Sequence, residues 1–179
     1  MAWRKNKINK LTENKQLKRK PNRLKEFDYG AGYSYFITIC TKNREKILSN
    51  ITVGTGVLDC PKVELTCFGE IAEKYIKQLD NFYESISVDY YVIMPNHIHM
   101  LISIFDENGQ SGTPVPTRQN TALSRLVSTF KRFCNKELGF NPWQGRFHDH
   151  IIRNKEDYED VSKYIYNNPI NWGTDELYN

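Results

Sequence analysis

Between Val88 and Ile104 the chain reads VDYYVIMPNHIHMLISI, two runs rich in apolar, β-branched and aromatic residues. They flank Met94-Pro95-Asn96. Proline fixes φ and cannot donate to a central ladder, and asparagine tolerates turn conformations, so the stretch predicts a β-hairpin. Successive side chains on a strand point to opposite faces. His97, His99, Leu101 and Ser103 therefore share one face of the second strand, and Ile98, Met100, Ile102 and Ile104 the other.

The same reading divides the rest of the chain. Tyr33 to Thr41 (YSYFITICT) predicts a first strand, and residues 50–64 with Gly54 and Gly56 a loop or small hairpin insertion. Phe68, Ile71, Ala72, Tyr75, Ile76 and Leu79 recur at helical spacing, so a helix precedes the hairpin. Residues 106–120 form a polar Gly/Pro loop. A second helix follows, capped at Thr121 and ended by Gly139, turning Leu123, Leu126, Val127, Phe130, Phe133 and Cys134 inward. Residues 147–153 (FHDHIIR) predict a fourth strand. Asn154 then caps a last helix with Asp157 at its third position, and Pro169 stops it near Asn168. The order β-α-β-β-α-β is that of the α+β, ferredoxin-like split βαβ fold, an antiparallel sheet with both helices on one face. The C-terminal helix is an addition.

Two strand positions advance by roughly 6.6 Å, so His97 and His99 are close enough to converge on one ion. A histidine on a half-buried strand is more often structural than a ligand, and the pair alone decides little. The last helix supplies partners. At 100° per residue Tyr158, Val161 and Ile165 form its buried stripe, while Tyr164 and Asn168 lie one turn apart along one edge. Docked on the sheet, that helix can aim both at the histidines. His148 and His150 form a second H-x-H pair, read here as structural. Trp143, Tyr90 and Tyr91 can stack bases, but core packing is the expectation for each.

Composition narrows the class. The 179 residues, 39% hydrophobic and 26% charged, describe one soluble domain over 24–179. No apolar run is long enough to span a bilayer, and no apolar segment follows the basic N-terminus as a signal peptide requires. Cys40, Cys60, Cys67 and Cys134 show neither C-x-x-C pairing nor zinc-finger spacing, so reduced thiols of a cytoplasmic protein are expected. The net charge of +4 is uneven. Residues 1–25 carry ten Lys or Arg against Glu13 alone, a net +9, leaving fifteen basic and twenty acidic groups elsewhere. A basic arm over 1–23 ahead of an acidic body suits a polyanion such as nucleic acid, or else a solubilising tail. Lys18, Arg19, Lys20 and Arg23, with Lys131 and Arg132 on the exposed side of the second helix, are the candidate DNA contacts.

The motifs MPNHIHMLI, WQGRFHDHIIR and YIYNNP, in this order, resemble those of the single-tyrosine HUH transposases, most closely the REP-associated branch. The likeness runs over roughly residues 24–172. It implies that His97 and His99 bind a divalent metal, Mg²⁺ or Mn²⁺, and that Tyr164 is the nucleophile. Asn168 falls where related enzymes carry a third, amide ligand, commonly Gln. The implied activity is cleavage and joining of single-stranded, hairpin-containing DNA through a 5′-phosphotyrosine, with a homodimer left open. Two other classes compete: a non-catalytic single-strand-binding module on the same fold, and a metal-dependent hydrolase. The hydrolase wants further Asp or His ligands nearby, and Met100-Leu101-Ile102 supplies none.

Overall fold

The computed structural model of the chain describes residues 34–52, 61–105, 122–175 and 177–178. The basic arm, with Lys18, Arg19, Lys20 and Arg23, and the expected cap at Thr121 lie outside the described residues.

Strand β1 (Ser34–Cys40) sits inside a four-stranded sheet with β4 (Ile86–Ile93), β5 (His97–Ile104) and β6 (His148–Ile151), in the order β4-β5-β1-β6. Every neighbouring pair is antiparallel, as the split βαβ order requires. The insertion at 50–64 contains a second, two-stranded sheet: β2 (Ser49–Thr52) pairs with β3 (Lys62–Leu65). The first helix is shorter than its apolar stripe. Helix α1 (Cys67–Ile76) stops, the chain turns at Lys77-Gln78, and a single turn α2 (Leu79–Phe82) keeps Leu79 buried.

Alternation on β5 sorts its side chains as expected. Ile98, Met100, Ile102 and Ile104 join Ile37 and Ile39 of β1 in the main core. Helix α1 and helix α3 (Ala122–Leu138) close that face with Ala72, Ile76, Leu123, Leu126, Val127, Phe130 and Cys134. Burying one such aliphatic side chain stabilises the fold by about 1.5–3 kcal/mol. Phe133 is only half-buried, stacked between Tyr75 and Phe82 with ring centroids 5.5 and 5.2 Å away.

The opposite face of the sheet is covered by α4 (Lys155–Asn167). Leu101, Ile152 and Ile165 form a second, smaller core there, with Phe36, Val92, Tyr158 and Val161 packed against it. Asn154 caps α4, its Oδ1 accepting from the Asp157 amide at 2.8 Å. Polar contacts complete the docking. Asp89, at a register break in β4, accepts hydrogen bonds from Ser87 (2.9 Å), Ser103 (2.5 Å) and the Tyr158 hydroxyl (3.0 Å). The helix is thereby clamped over the histidine face of β5.

Candidate active site

The turn before β5 fixes the two histidines. Asn96 Nδ2 donates to the Leu177 carbonyl at 2.6 Å, so its Oδ1 faces His97 and accepts from His97 Nδ1 at 2.7 Å. That bond places the imidazole proton on Nδ1 and leaves the Nε2 lone pair for a ligand. Thr38, opposite His99 in the β1–β5 register, bonds His99 Nδ1 through its hydroxyl at 2.8 Å. His97 Nε2 is thus left over, and the two ring centroids lie 4.4 Å apart. His97 Nε2 is buried with no hydrogen-bond partner. Burial lowers the pKa of His97 to about 4, with Asp175 opposing the shift and Arg44 adding to it. Burial, then the neighbouring His97, pulls His99 well below its ordinary value. Both rings are neutral at pH 7, the form a metal needs.

Helix α4 delivers Tyr164. Its hydroxyl lies 3.5 Å from His99 Nε2, and its ring meets the rings of His99 and Phe36 at 5.3 and 5.8 Å. The tyrosine is 45% exposed, whereas Tyr158 is tied to Asp89 and Tyr166 is 79% exposed. Helical phase thus separates the three tyrosines as the sequence predicts.

Asn168, at the end of α4, is buried. Its Nδ2 donates to Asp175 Oδ2 at 3.2 Å and its Oδ1 has no partner. An unpaired buried acceptor costs about 1–3 kcal/mol, so these orphan atoms of His97 and Asn168 are places where a ligand stabilises the protein.

Asp175 was not anticipated. One ligand atom from each of His97, His99 and Asp175 lies within 4.8 Å of the others, the metal-capable cluster found among the described residues. Two imidazoles, a carboxylate and an amide oxygen form a donor set that could hold a divalent metal ion. The sequence holds a weak trace of this: Asp175 follows Trp172-Gly173-Thr174, which forms a 3-10 turn after Pro169 and brings the chain back. Trp172 packs on His97 with ring centroids 5.9 Å apart.

A cleft of about 740 Å³ opens beside Tyr164, lined also by Thr38, Arg44, His99, His148 and Asn168. The second H-x-H pair is split between two tasks. His148 lines the cleft, while His150 Nε2 meets both Asp157 carboxylate oxygens at 2.9 and 3.0 Å and ties β6 to α4.

Other sequence candidates are spread more widely. Lys131 is half-buried rather than exposed. Its ammonium donates to the carbonyls of Gln144 (2.7 Å) and Arg146 (3.3 Å), and burial brings its pKa down to about 8. Arg132 is exposed and lies over the Phe133 ring at 5.4 Å. Trp143 is core, and Tyr91 is half-buried with its hydroxyl on Glu73 at 3.0 Å. Tyr90 departs from the expected packing, being 47% exposed on the edge strand β4.

No protein-family model matches the chain. An uncharacterized protein of Haemophilus influenzae is 31% identical over 175 residues, covering 89% of this chain and 93% of that protein. A second Haemophilus influenzae protein, provisionally named a REP-associated tyrosine transposase, is 23% identical over 154 residues, covering 84% and 77%. Among solved structures, a REP-associated tyrosine transposase bound to a REP hairpin superposes with a TM-score of 0.58 at 22% identity. That match covers 84% of this chain and 74% of the other, and it fixes the fold. No helix among the described residues is long and apolar enough to cross a membrane.

Proposed function

Since the chain belongs to the REP-associated tyrosine transposases, we propose that it cuts and rejoins single-stranded DNA beside a hairpin through a covalent bond to Tyr164. One observation carries this reading: the Tyr164 hydroxyl stands 3.5 Å from the ring nitrogen of a histidine pair whose other nitrogens are already committed. Hairpin DNA as partner is supported by the relative whose structure holds a REP hairpin.

The residues divide the chemistry. His97, His99, Asp175 and the Asn168 amide oxygen would hold a divalent cation, Mg²⁺ or Mn²⁺. Such an ion supplies Lewis-acid polarisation of the phosphate. Tyr164 provides the attacking oxygen: its O–H proton leaves, an O–P bond forms, and the bond from phosphorus to the 3′-oxygen breaks. That oxygen takes up a proton, balancing the one the tyrosine gives to solvent, and departs as a 3′-hydroxyl while the 5′-phosphate stays on the tyrosine. The linkage preserves the phosphoester bond energy, so a second 3′-hydroxyl can reverse the step without ATP. Thr38 and Asn96 orient the imidazoles, and α4 sets the height of the nucleophile.

Incubating the protein with Mg²⁺ or Mn²⁺ and labelled single-stranded hairpin DNA tests the reading. A covalent protein–DNA species that survives denaturation is the expected result. Tight binding with no such species would leave a binding module on the same fold.

A further inference from the structure

Between β1 and β2 the chain makes a turn that contains no glycine but requires what glycine usually provides. Asn43 (φ 51°, ψ 15°) and Arg44 (φ 56°) both occupy the left-handed region. Asparagine enters it readily; arginine does not. Such backbone persists only where its surroundings over-determine it. Here the single Thr41 hydroxyl proton lies between the carbonyls of Glu45 (2.8 Å) and Asn96 (3.0 Å), the Thr41 amide donates to the Asn96 carbonyl (2.9 Å), and the Lys42 amide donates to Pro142 (2.7 Å). The clamp includes Asn96, the residue that orients His97.

What the turn delivers is a half-buried arginine on the wall of the Tyr164 cleft. Among the described residues lining that cleft, Arg44 is the one permanent cation; Asp175 is the acid, and His99, His148 and Tyr164 are the other titratable groups. A phosphodiester brought to Tyr164 carries a negative charge that must be met there. A guanidinium can meet it with two parallel N–H donors, a geometry lysine lacks.

We propose that Arg44 is the phosphate clamp of this site, its guanidinium holding the non-bridging oxygens of the scissile linkage while Tyr164 attacks. The inference rests on the proposed DNA-cleaving function and adds the residue that receives the substrate's charge. It also gives the strained turn a purpose: the turn places Arg44 on the wall of the cleft that Tyr164 also lines. The competing role is structural, with Arg44 only balancing Asp175, since both act on His97.

A chemical edit of the substrate separates the two roles. The linkage cut by the unmodified protein is first located from its adduct. A hairpin oligonucleotide with a neutral methylphosphonate at that linkage is then compared with the ordinary phosphate. Binding is measured in EDTA on a Tyr164→Phe background, so that neither metal nor cleavage contributes. With Arg44 present, the methylphosphonate should weaken binding roughly 10-fold, the scale of one charge-assisted contact. Arg44→Gln should bind the phosphate roughly 10-fold more weakly and no longer distinguish the two oligonucleotides. Arg44→Lys should fall between. In the Tyr164 protein with Mn²⁺, Arg44→Gln should form adduct at least roughly 100-fold more slowly at an unchanged melting temperature. Arg44→Gln proteins that still discriminate against the methylphosphonate, or form adduct at the original rate, overturn the clamp and leave the cleavage reading standing. If the unmodified protein yields no adduct, the cleavage reading fails and the clamp falls with it.

Discussion

At the scale of single residues the site makes sharp demands. Tyr164→Phe removes only the attacking oxygen, so it should abolish the covalent species and leave fold and DNA affinity intact, whereas Tyr166→Phe should keep it. Mass spectrometry of the DNA-linked peptide checks this, and a phosphotyrosine at 158 or 166 would refute it. His97→Ala and His99→Ala should each eliminate divalent-dependent cleavage. Calorimetry should also show each losing Mn²⁺ binding. A buried neutral histidine has a pH signature as well. His97 falls from 6.5 to about 4 on folding, so the unfolded chain takes up its proton at higher pH than the folded one. Its contribution is complete above pH 6.5 and is lost as pH falls toward about 4, on the order of 3 kcal/mol. Urea midpoints in EDTA should therefore drop between pH 7 and pH 4.5; equal midpoints would contradict the buried, neutral pair. That His97 and His99 share a strand face, and Tyr164 and Asn168 a helix edge, was legible because strand and helix periods fix which side chains lie together. The roles proposed for them came from the motif resemblance. Asp175 was not legible, since its position depends on a turn that no period describes. Lys131 was misjudged for a related reason: helical phase gives the direction of a long side chain, not the carbonyls of a distant loop that it reaches.

At the scale of elements, catalysis in this reading depends on how α4 sits on the sheet. The Tyr158 hydroxyl on Asp89 and the Asn154 cap are its polar fastenings. Tyr158→Phe should cost about 1 kcal/mol of stability. It should also slow adduct formation more than it weakens DNA binding, because Tyr164 sits on the same helix. Asn154→Ala should cost about 1 kcal/mol through the lost cap. Thermal denaturation with single-turnover kinetics reads both; an unchanged adduct rate in Tyr158→Phe would show that the apolar stripe alone positions the helix. The strand and helix order was readable from hydrophobic patterning, as was the stripe of Tyr158, Val161 and Ile165. The break between α1 and α2 was not, for Leu79 continues the apolar stripe across it. The exposure of Tyr90 follows from its edge strand, and edge position is a property of sheet order rather than of local pattern.

At the scale of the whole molecule, charge and substrate geometry decide. Removing residues 1–22 should weaken DNA binding and flatten its salt dependence, each phosphate contact accounting for about 0.7 of the slope on a single strand. A fluorescence titration at several salt concentrations measures it, and an unchanged slope would make the arm a tail. Fully paired duplex should resist cleavage, since the scissile strand must turn into a cleft lined by His99 and Tyr164; equal cutting of blunt duplex would refute this. Finally, the 3.5 Å approach joins a histidine of β5 to a tyrosine of α4 within one chain. In the proposed reading each polypeptide then carries both halves of the reaction centre, which dictates a rate law. Adduct formation should be first order in protein at saturating DNA, with no lag or quadratic regime on dilution. An equimolar mixture of His97→Ala and Tyr164→Phe chains should show no complementation, as neither can lend the other its missing half.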